Sequence, residues 1–257
     1  MKAMGRRLKQ IGYGFFYVIV SCVLSICCYL LFFTKYSTCF DGIQNQQELG
    51  IDCGGSCIDC ELKVAKIDIS QVYILSAGKY KSTLVFAITN TAKKYGVYRF
   101  DYTLDVFSQF ETKLAVFQGV SSLLPGETKY LVVPGISLDS RDIKRATCTT
   151  TNVEWKEKDA LLGFSLSSEA LKTQVFVDDI EVSGIVKNDG ATASGKIKLT
   201  GLLFGSDGTL LAASTTIVDE ISAYNTMSFT IFFPKLTEIV QRLDYSKTQI
   251  FYEIERL

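Results

Sequence analysis

Four cysteines fall within residues 39–60, and this stretch constrains the fold of the chain more than any other. It reads CFDGIQNQQELGIDCGGSCIDC and mixes the cysteines with acidic, amide and glycine residues. Because it has no apolar periodicity, it lacks the side chains for a hydrophobic core of its own. A segment this short is ordered only when covalent or metal cross-links hold it. The sequence therefore predicts a cross-linked knot, the collar (residues 36–61).

An uncharged apolar run, residues 11–34, precedes the collar. As a helix it would span about 36 Å, enough to cross a hydrocarbon core of roughly 30 Å. The positive-inside rule makes the basic residues 1–10 a cytoplasmic tail and places everything after the run outside the cell membrane. The run is longer than the core of a signal peptide and ends in bulky side chains. It is therefore predicted to be an uncleaved, single-pass transmembrane helix in contact with membrane lipid.

Charge and composition narrow the class of function. Residues 36–257 carry 22 basic and 27 acidic side chains, a net charge of −5. Nucleic-acid binding needs a basic face, so no nucleic-acid partner is predicted. The chain contains no histidine, which removes the commonest general base and the commonest metal ligand. These features favour a binding or structural role over catalysis.

The collar cysteines are Cys39, Cys53, Cys57 and Cys60. In an oxidising compartment an even set predicts disulfide bonds, and four cysteines allow three pairings. Four thiolates also suit a tetrahedral zinc ion. A third alternative is a thiol–disulfide oxidoreductase that uses Cys57 and Cys60 as its redox pair, although the βαβ setting of such motifs is not visible in the sequence.

Oxygen-bearing side chains of the collar form a second candidate site: Asp41, Asn45, Glu48 and Asp52. Calcium takes six to eight oxygen ligands from carboxylates, amides and backbone carbonyls. Calcium is therefore the candidate cofactor, and the collar would then act as a calcium or zinc sensor. The alternative is that these side chains make turn hydrogen bonds to the nearby backbone and that the chain has no cofactor.

The run Cys-x-Asp-Gly-Ile-Gln-Asn-Gln-x-Glu-x3-Asp-Cys-Gly-Gly-x-Cys-x2-Cys resembles a motif found at the base of many bacterial envelope and surface proteins. In candidate-phyla bacteria that motif often follows a single N-terminal helix and precedes β-domains. The resemblance covers residues 39–60 and implies a membrane-anchored protein of the cell envelope. Ser56 stands where the motif usually has proline.

From residue 62 onward the apolar pattern changes to a period of two. Residues 98–106 and residues 227–231 alternate between apolar and polar side chains. Such strands bury one face. Strand-like runs recur between turn-forming sequences, which predicts a mainly β fold of immunoglobulin-like antiparallel sandwiches.

The chain also repeats itself at a spacing of 97–98 residues. Phe86–Asn90 lines up with Gly184–Asn188, and Val106–Ser108 lines up with Leu203–Gly205. Two copies of about 100 residues fit the usual size of a domain. The sequence therefore predicts two tandem β-sandwiches.

The predicted sandwich domains span residues 62–165 and 166–257. The second is similar to FxLYD-type domains through its Gly-x-Val-x-Asn opening at 184–188 and its Leu-Phe-x-x-Asp-Gly turn at 203–208. That resemblance implies a sandwich like those of late-embryogenesis-abundant proteins, with a binding or structural role. The whole chain is thus predicted to be a non-catalytic envelope protein that presents a binding or scaffolding surface to an extracytoplasmic partner.

Overall fold

A computed structural model describes the chain in four stretches: residues 2–32, 39–45, 47–161 and 165–254. It divides into two compact units, Met1–Lys63 and Val64–Leu257, the second of which is called the β unit below. The predicted end of the membrane segment, residues 33–34, and the start of the collar, residues 36–38, lie outside the described residues, as does 162–164 at the predicted domain joint.

Helix α1 runs from Lys2 to Phe32 and contains the apolar run. Its segment Gly12–Leu30 is long and apolar enough to cross a membrane, and none of that segment is buried. Cys22, Cys27 and Cys28 are exposed on it. An apolar surface of this extent is unusual for a helix in water, and it matches the dimensions of a membrane span.

The β unit contains twelve strands among its described residues. In chain order they are β1 (Ile67–Gly78), β2 (Lys81–Asn90), β3 (Tyr95–Ser108), β4 (Lys113–Leu123), β5 (Thr128–Ile136), β6 (Ile143–Glu157), β7 (Leu166–Val175), β8 (Asp179–Asn188), β9 (Ile197–Phe204), β10 (Leu210–Val218), β11 (Thr226–Pro234) and β12 (Gln249–Ile254). The helices are short: α2 (Cys60–Val64) ends the collar, α3 (Lys158–Leu161) follows β6, and α4 (Thr237–Arg242) precedes a 3-10 turn at Tyr245–Lys247.

The strands form four three-stranded antiparallel sheets in two sandwiches. The first sandwich pairs sheet β1-β2-β5 with sheet β4-β3-β6, and the second pairs β7-β8-β11 with β10-β9-β12. Each sandwich therefore uses its six strands in the same order. The predicted mainly β fold with an N-terminal apolar helix and a disulfide-bonded segment is confirmed.

Each sandwich has its own apolar core. Phe86 of β2 and Phe100 and Leu104 of β3 are fully buried in the first core. Asp101, between them on β3, points to the outer face. This is the alternation that the sequence pattern of residues 98–106 predicts. Burying these side chains supplies most of the stabilising free energy of such a domain.

A third apolar cluster joins the two sandwiches. The outer face of β1-β2-β5 contributes Tyr73, Leu75, Val85, Tyr130 and Val132, and the outer face of β10-β9-β12 contributes Leu202, Phe204, Leu210, Ala213 and Phe251. The four sheets thus stack as four layers. Because β2 is covered on both faces, its run Leu84–Ile88 is buried throughout.

A buried asparagine ends the second strand of each sandwich. Asn90 donates through Nδ2 to two backbone carbonyl oxygens at 2.8 and 3.0 Å, and Asn188 does the same at 2.7 and 3.0 Å. The backbone N–H of Asn90 donates to Glu127, and that of Asn188 donates to Asn225. Both acceptors directly precede the fifth strand of their sandwich, so the same polar clamp fixes the same corner twice.

Candidate functional site

Glu48 is the centre of the collar. This carboxylate is 9% exposed, and its Oε2 accepts hydrogen bonds from the backbone N–H groups of Asn45 and Asp52, at 3.1 and 3.3 Å. Its Oε1 lies 3.3 Å from Cys57 Sγ. A single acidic side chain therefore joins three parts of a segment that has no apolar core. Buried carboxylates persist when backbone donors satisfy them in this way.

Two disulfide bonds surround this carboxylate. Cys39 is joined to Cys57, and Cys53 is joined to Cys60. The predicted disulfides are therefore present in one of the three pairings that the sequence left open. Cys57 and Cys60 are bonded to different partners and not to each other, so the redox-pair alternative finds no support in this arrangement.

Both backbone conformation and close contacts explain why the motif has glycine at positions 54 and 55. Gly54 and Gly55 have φ angles of +81° and +62°. A Cβ at Gly54 would lie 2.7 Å from Leu49 Cβ, and one at Gly55 would lie 2.6 Å from the carbonyl oxygen of Gln47. An L side chain would be strained in the backbone and would also collide with its neighbour. The close turn that brings Cys53 and Cys57 to their partners therefore requires glycine at both positions.

The predicted calcium ligands mostly bond to the collar itself. Asp41 Oδ1 accepts from Ile43 N at 2.9 Å, and Asp41 Oδ2 accepts from Asn45 Nδ2 at 3.0 Å. Asp52 Oδ1 accepts from Gly42 N at 3.0 Å, and Lys63 Nζ lies 3.6 Å from Asp52 Oδ2. These are the turn-forming contacts that the alternative interpretation predicts.

Asn45 provides an oxygen that is available to a cation. Asn45 Oδ1 is buried without a hydrogen-bond partner. Calcium takes six to eight oxygens, so an ion at Asn45 would also need carboxylate oxygens of Asp41 and Asp52 that already accept hydrogen bonds within the collar. The donor chemistry suits calcium but the geometry favours turn formation, and calcium binding stays a prediction.

Zinc faces a different obstacle. In the part of the chain that the structure describes, Cys39, Glu48 and Cys57 are the one group whose ligand atoms lie within 4.8 Å of one another. The two sulfurs of this group are bonded to each other. Since zinc binds thiolates and not disulfide sulfur, this alternative needs a reduced collar.

Cys148 is the free cysteine of the β unit. It lies opposite Leu104 in the β3–β6 ladder and packs against the first core. Burial raises the pKa of its thiol to about 11. A thiol with so high a pKa is a poor nucleophile near neutral pH. The structure thus places Cys148 as a packing residue.

The joint between the sandwiches has a polar edge. Lys129 of β5 is 5% exposed, and its Nζ lies 3.5 Å from Glu253 Oε1 of β12. Ser121 also donates to that carboxylate. A cleft of about 430 Å³ opens beside this pair, and Leu166 and Tyr252 belong to its wall. Lysine and glutamate neutralise each other there, so the pair offers no unpaired charge to a ligand.

Sequence reasoning missed this joint. Clean alternation predicts one buried face per strand and names no partner for the other face. The available signal was the unbroken apolar run of β2, because a strand buried on both faces needs apolar side chains at every position.

Comparisons with known proteins add little. No family model and no curated protein matches the sequence. Among solved structures, one match is a β-glucuronidase from glycoside hydrolase family 2, with 14% sequence identity and a TM-score of 0.21. The match covers 79% of this chain and 26% of that chain. A similarity at this level carries no argument about function.

Proposed function

We propose that this protein is a non-catalytic binding or scaffolding protein of the cell envelope, anchored in the membrane by α1 with its C-terminal domains outside the cell. The observation that carries the proposal is the exposed apolar segment Gly12–Leu30 on the same chain as two disulfide bonds. Disulfides persist in oxidising compartments. An apolar span followed by a disulfide-bonded collar therefore favours a cytoplasmic N-terminus and an extracytoplasmic β unit. The basic residues at the N-terminus favour the same orientation.

The described side chains favour binding over catalysis. Cys57 and Cys60 are locked in separate disulfides, and the pKa of the Cys148 thiol is raised by burial. The chain has no histidine to activate a nucleophile. What the β unit offers instead is two outermost sheet faces that carry exposed apolar side chains, such as Val116 and Phe232.

The two sandwiches are, on this proposal, tandem copies of one fold, and the second of them is an FxLYD-type domain. Their strands pair in the same order, and their buried asparagines, Asn90 and Asn188, make the same contacts. Domains of this kind suit a structural or ligand-presenting role, because stacking two of them creates a rigid module from a simple repeat.

Protease protection on intact cells tests the proposal. The full chain would carry one epitope tag at its N-terminus and another at its C-terminus. We expect external protease to remove the C-terminal tag and leave the N-terminal tag on a fragment that contains α1. Detergent-permeabilised cells, in which both tags become accessible, are the control. Protection of the C-terminal tag in intact cells would contradict the orientation and the extracytoplasmic role with it.

A further inference from the structure

Strand β4 is an open sheet edge. It pairs with β3 on one side, and among the described strands no other ladder includes it. The register is regular from Ala115 to Ser121, and that stretch contains neither charge nor proline. Several other edge strands carry a proline or a charge: β5 contains Pro134, β11 contains Pro234, and β7 contains Glu169 and Lys172. An uninterrupted, uncharged edge is a template for another strand.

The second sandwich shows what this strand does when it is covered. Ala213 of β10 pairs with Leu202 in the same way that Val116 of β4 pairs with Asp105. Ala213 is 1% exposed, because it lies against the first sandwich, whereas Val116 is 47% exposed. The outer face of the fourth strand is therefore covered by the neighbouring sandwich in one copy and exposed in the other.

Ser122 reveals which backbone groups of β4 face the open edge. Its N–H donates to Glu253 Oε1, and its carbonyl oxygen accepts from Lys129 Nζ. Both partners lie outside the β3–β4 ladder. Because successive residues of an antiparallel strand point alternately to its two sides, the backbone groups of Val120 and Gln118 also face outward. Lys129 and Glu253 thus satisfy the end of the edge and leave its middle open.

We propose that β4 is a homodimerisation strand, which pairs antiparallel with β4 of a second copy about a twofold axis at Gln118. Val116 and Val120 are each two residues from Gln118 along the strand. This register therefore places the Val116 of each copy opposite the Val120 of the other. The valines are 47% and 48% exposed on the same outer face. One surface serves both copies, as a closed twofold interface requires. Pairing satisfies the outward backbone groups, covers both valine pairs and fuses two three-stranded sheets into one of six.

Cysteine cross-linking in the full chain tests the geometry. Gln118→Cys places a thiol on the axis, and a short bismaleimide should join two copies in membranes. The matched control is Thr149→Cys, since Thr149 and Gln118 flank Thr103 in one cross-strand row but Thr149 lies on β6, at the far edge of the sheet. The unsubstituted chain measures the background from Cys22, Cys27, Cys28 and Cys148. Equal cross-linking of both variants would overturn the proposal, because it would indicate association through another part of the chain.

A charge exchange tests the register and the identity of the partner. In the Gln118→Cys background, Val116→Lys with Val120→Lys sets like charges opposite each other twice, and we expect roughly tenfold less cross-linked dimer. Val116→Lys with Val120→Glu sets opposite charges together twice and should restore it. Both variants would be checked for an unchanged far-UV spectrum, since Val116 lies beside Asp105 and Val120 beside Asp101 in the same chain. If the two folded variants lose the dimer equally, or neither loses it, β4 self-pairing is wrong.

Discussion

The collar is stabilised by two disulfide bonds around a buried carboxylate, whereas the β unit is stabilised by apolar side chains packed away from water. Glu48 is buried in the collar beside Cys57. In the β unit Phe86 and Phe100 are buried without exposure. One chain can thus order a short segment by cross-links that restrict its unfolded state and a long segment by burial of apolar side chains. Each unit should therefore respond to a perturbation that spares the other.

A second contrast lies within the β unit, between outer faces that are covered and their equivalents that are not. Val85 and Leu202 are fully buried between the sandwiches. The equivalent positions in the other sandwich, by strand register, are Ser183 and Asp105. Polar residues at these positions keep the outermost faces solvated. Polar positions of this kind disfavour apolar stacking on these two faces, as the polar outer faces of capping repeats do in other stacked architectures.

The largest expected effect comes from charging the covered face. Leu202→Asp would bury an unpaired carboxylate between the sandwiches and should lower the free energy of unfolding by about 4 kcal/mol. The matched control is Ser183→Asp on the solvated face, which should cost less than about 0.5 kcal/mol. Urea denaturation followed by tryptophan fluorescence measures both. Similar midpoints for the two variants would show that the covered face contributes little.

Reduction of the disulfides is the second perturbation. Bridges that separate residues by 18 and 7 positions should each contribute about 2–3 kcal/mol to the order of the collar. A mild reductant should therefore raise hydrogen exchange in residues 39–60 and leave exchange in β2 and β3 unchanged. The oxidised chain under the same conditions is the control. Faster exchange in the β strands as well would show that the two units depend on each other.

The sequence predicted what depends on local pattern. Alternation in residues 98–106 predicts a half-buried strand, and the structure has it. An uncharged run predicts an apolar helix. The cysteine set predicts disulfides because an acidic, glycine-rich segment has no other means of order. Each of these features is decided by side chains that are near one another along the chain.

What the sequence did not predict depends on distant partners. Four cysteines allow three pairings, and the choice among them depends on Cys39 reaching Cys57, 18 positions away. The joint between the sandwiches depends on how two faces meet whose residues are at least 70 positions apart along the chain, and alternation carries no signal for that. The sequence identifies Glu48 as a metal ligand or a turn former. It does not predict that Glu48 is buried beside Cys57, because that contact depends on how the collar folds. The exposed edge of β4 likewise appears only once its neighbours are known.

A glycine comparison separates steric from backbone effects within the collar. Gly54 and Gly42 both have positive φ angles, of +81° and +72°. A Cβ at Gly54 would meet Leu49, whereas one at Gly42 would meet nothing within 4 Å. Gly42→Ala should therefore cost about 1 kcal/mol from the backbone alone, and Gly54→Ala about 2 kcal/mol or more. The fraction of correctly paired disulfides after refolding measures the difference, and equal yields would contradict the steric argument.

Calcium should give the smallest effect. Asp41 and Asp52 already accept hydrogen bonds from backbone N–H groups. The free energy of calcium binding is therefore reduced by the cost of weakening those bonds, and Asn45 Oδ1 is the ligand that has no hydrogen bond to lose. If calcium binds, millimolar calcium will slow proteolysis of the oxidised collar, and Asp41→Asn with Asp52→Asn will remove that protection. The amide variants retain oxygens that can accept the backbone hydrogen bonds, so they should keep both disulfides and lower the free energy of unfolding by under about 1 kcal/mol without metal.

Magnesium at the same concentration is the control, because its smaller, octahedral shell does not suit this ligand set. If calcium gives the unmodified chain no more protection than magnesium does, the carboxylates act as turn formers alone and the collar is held by its disulfides and Glu48.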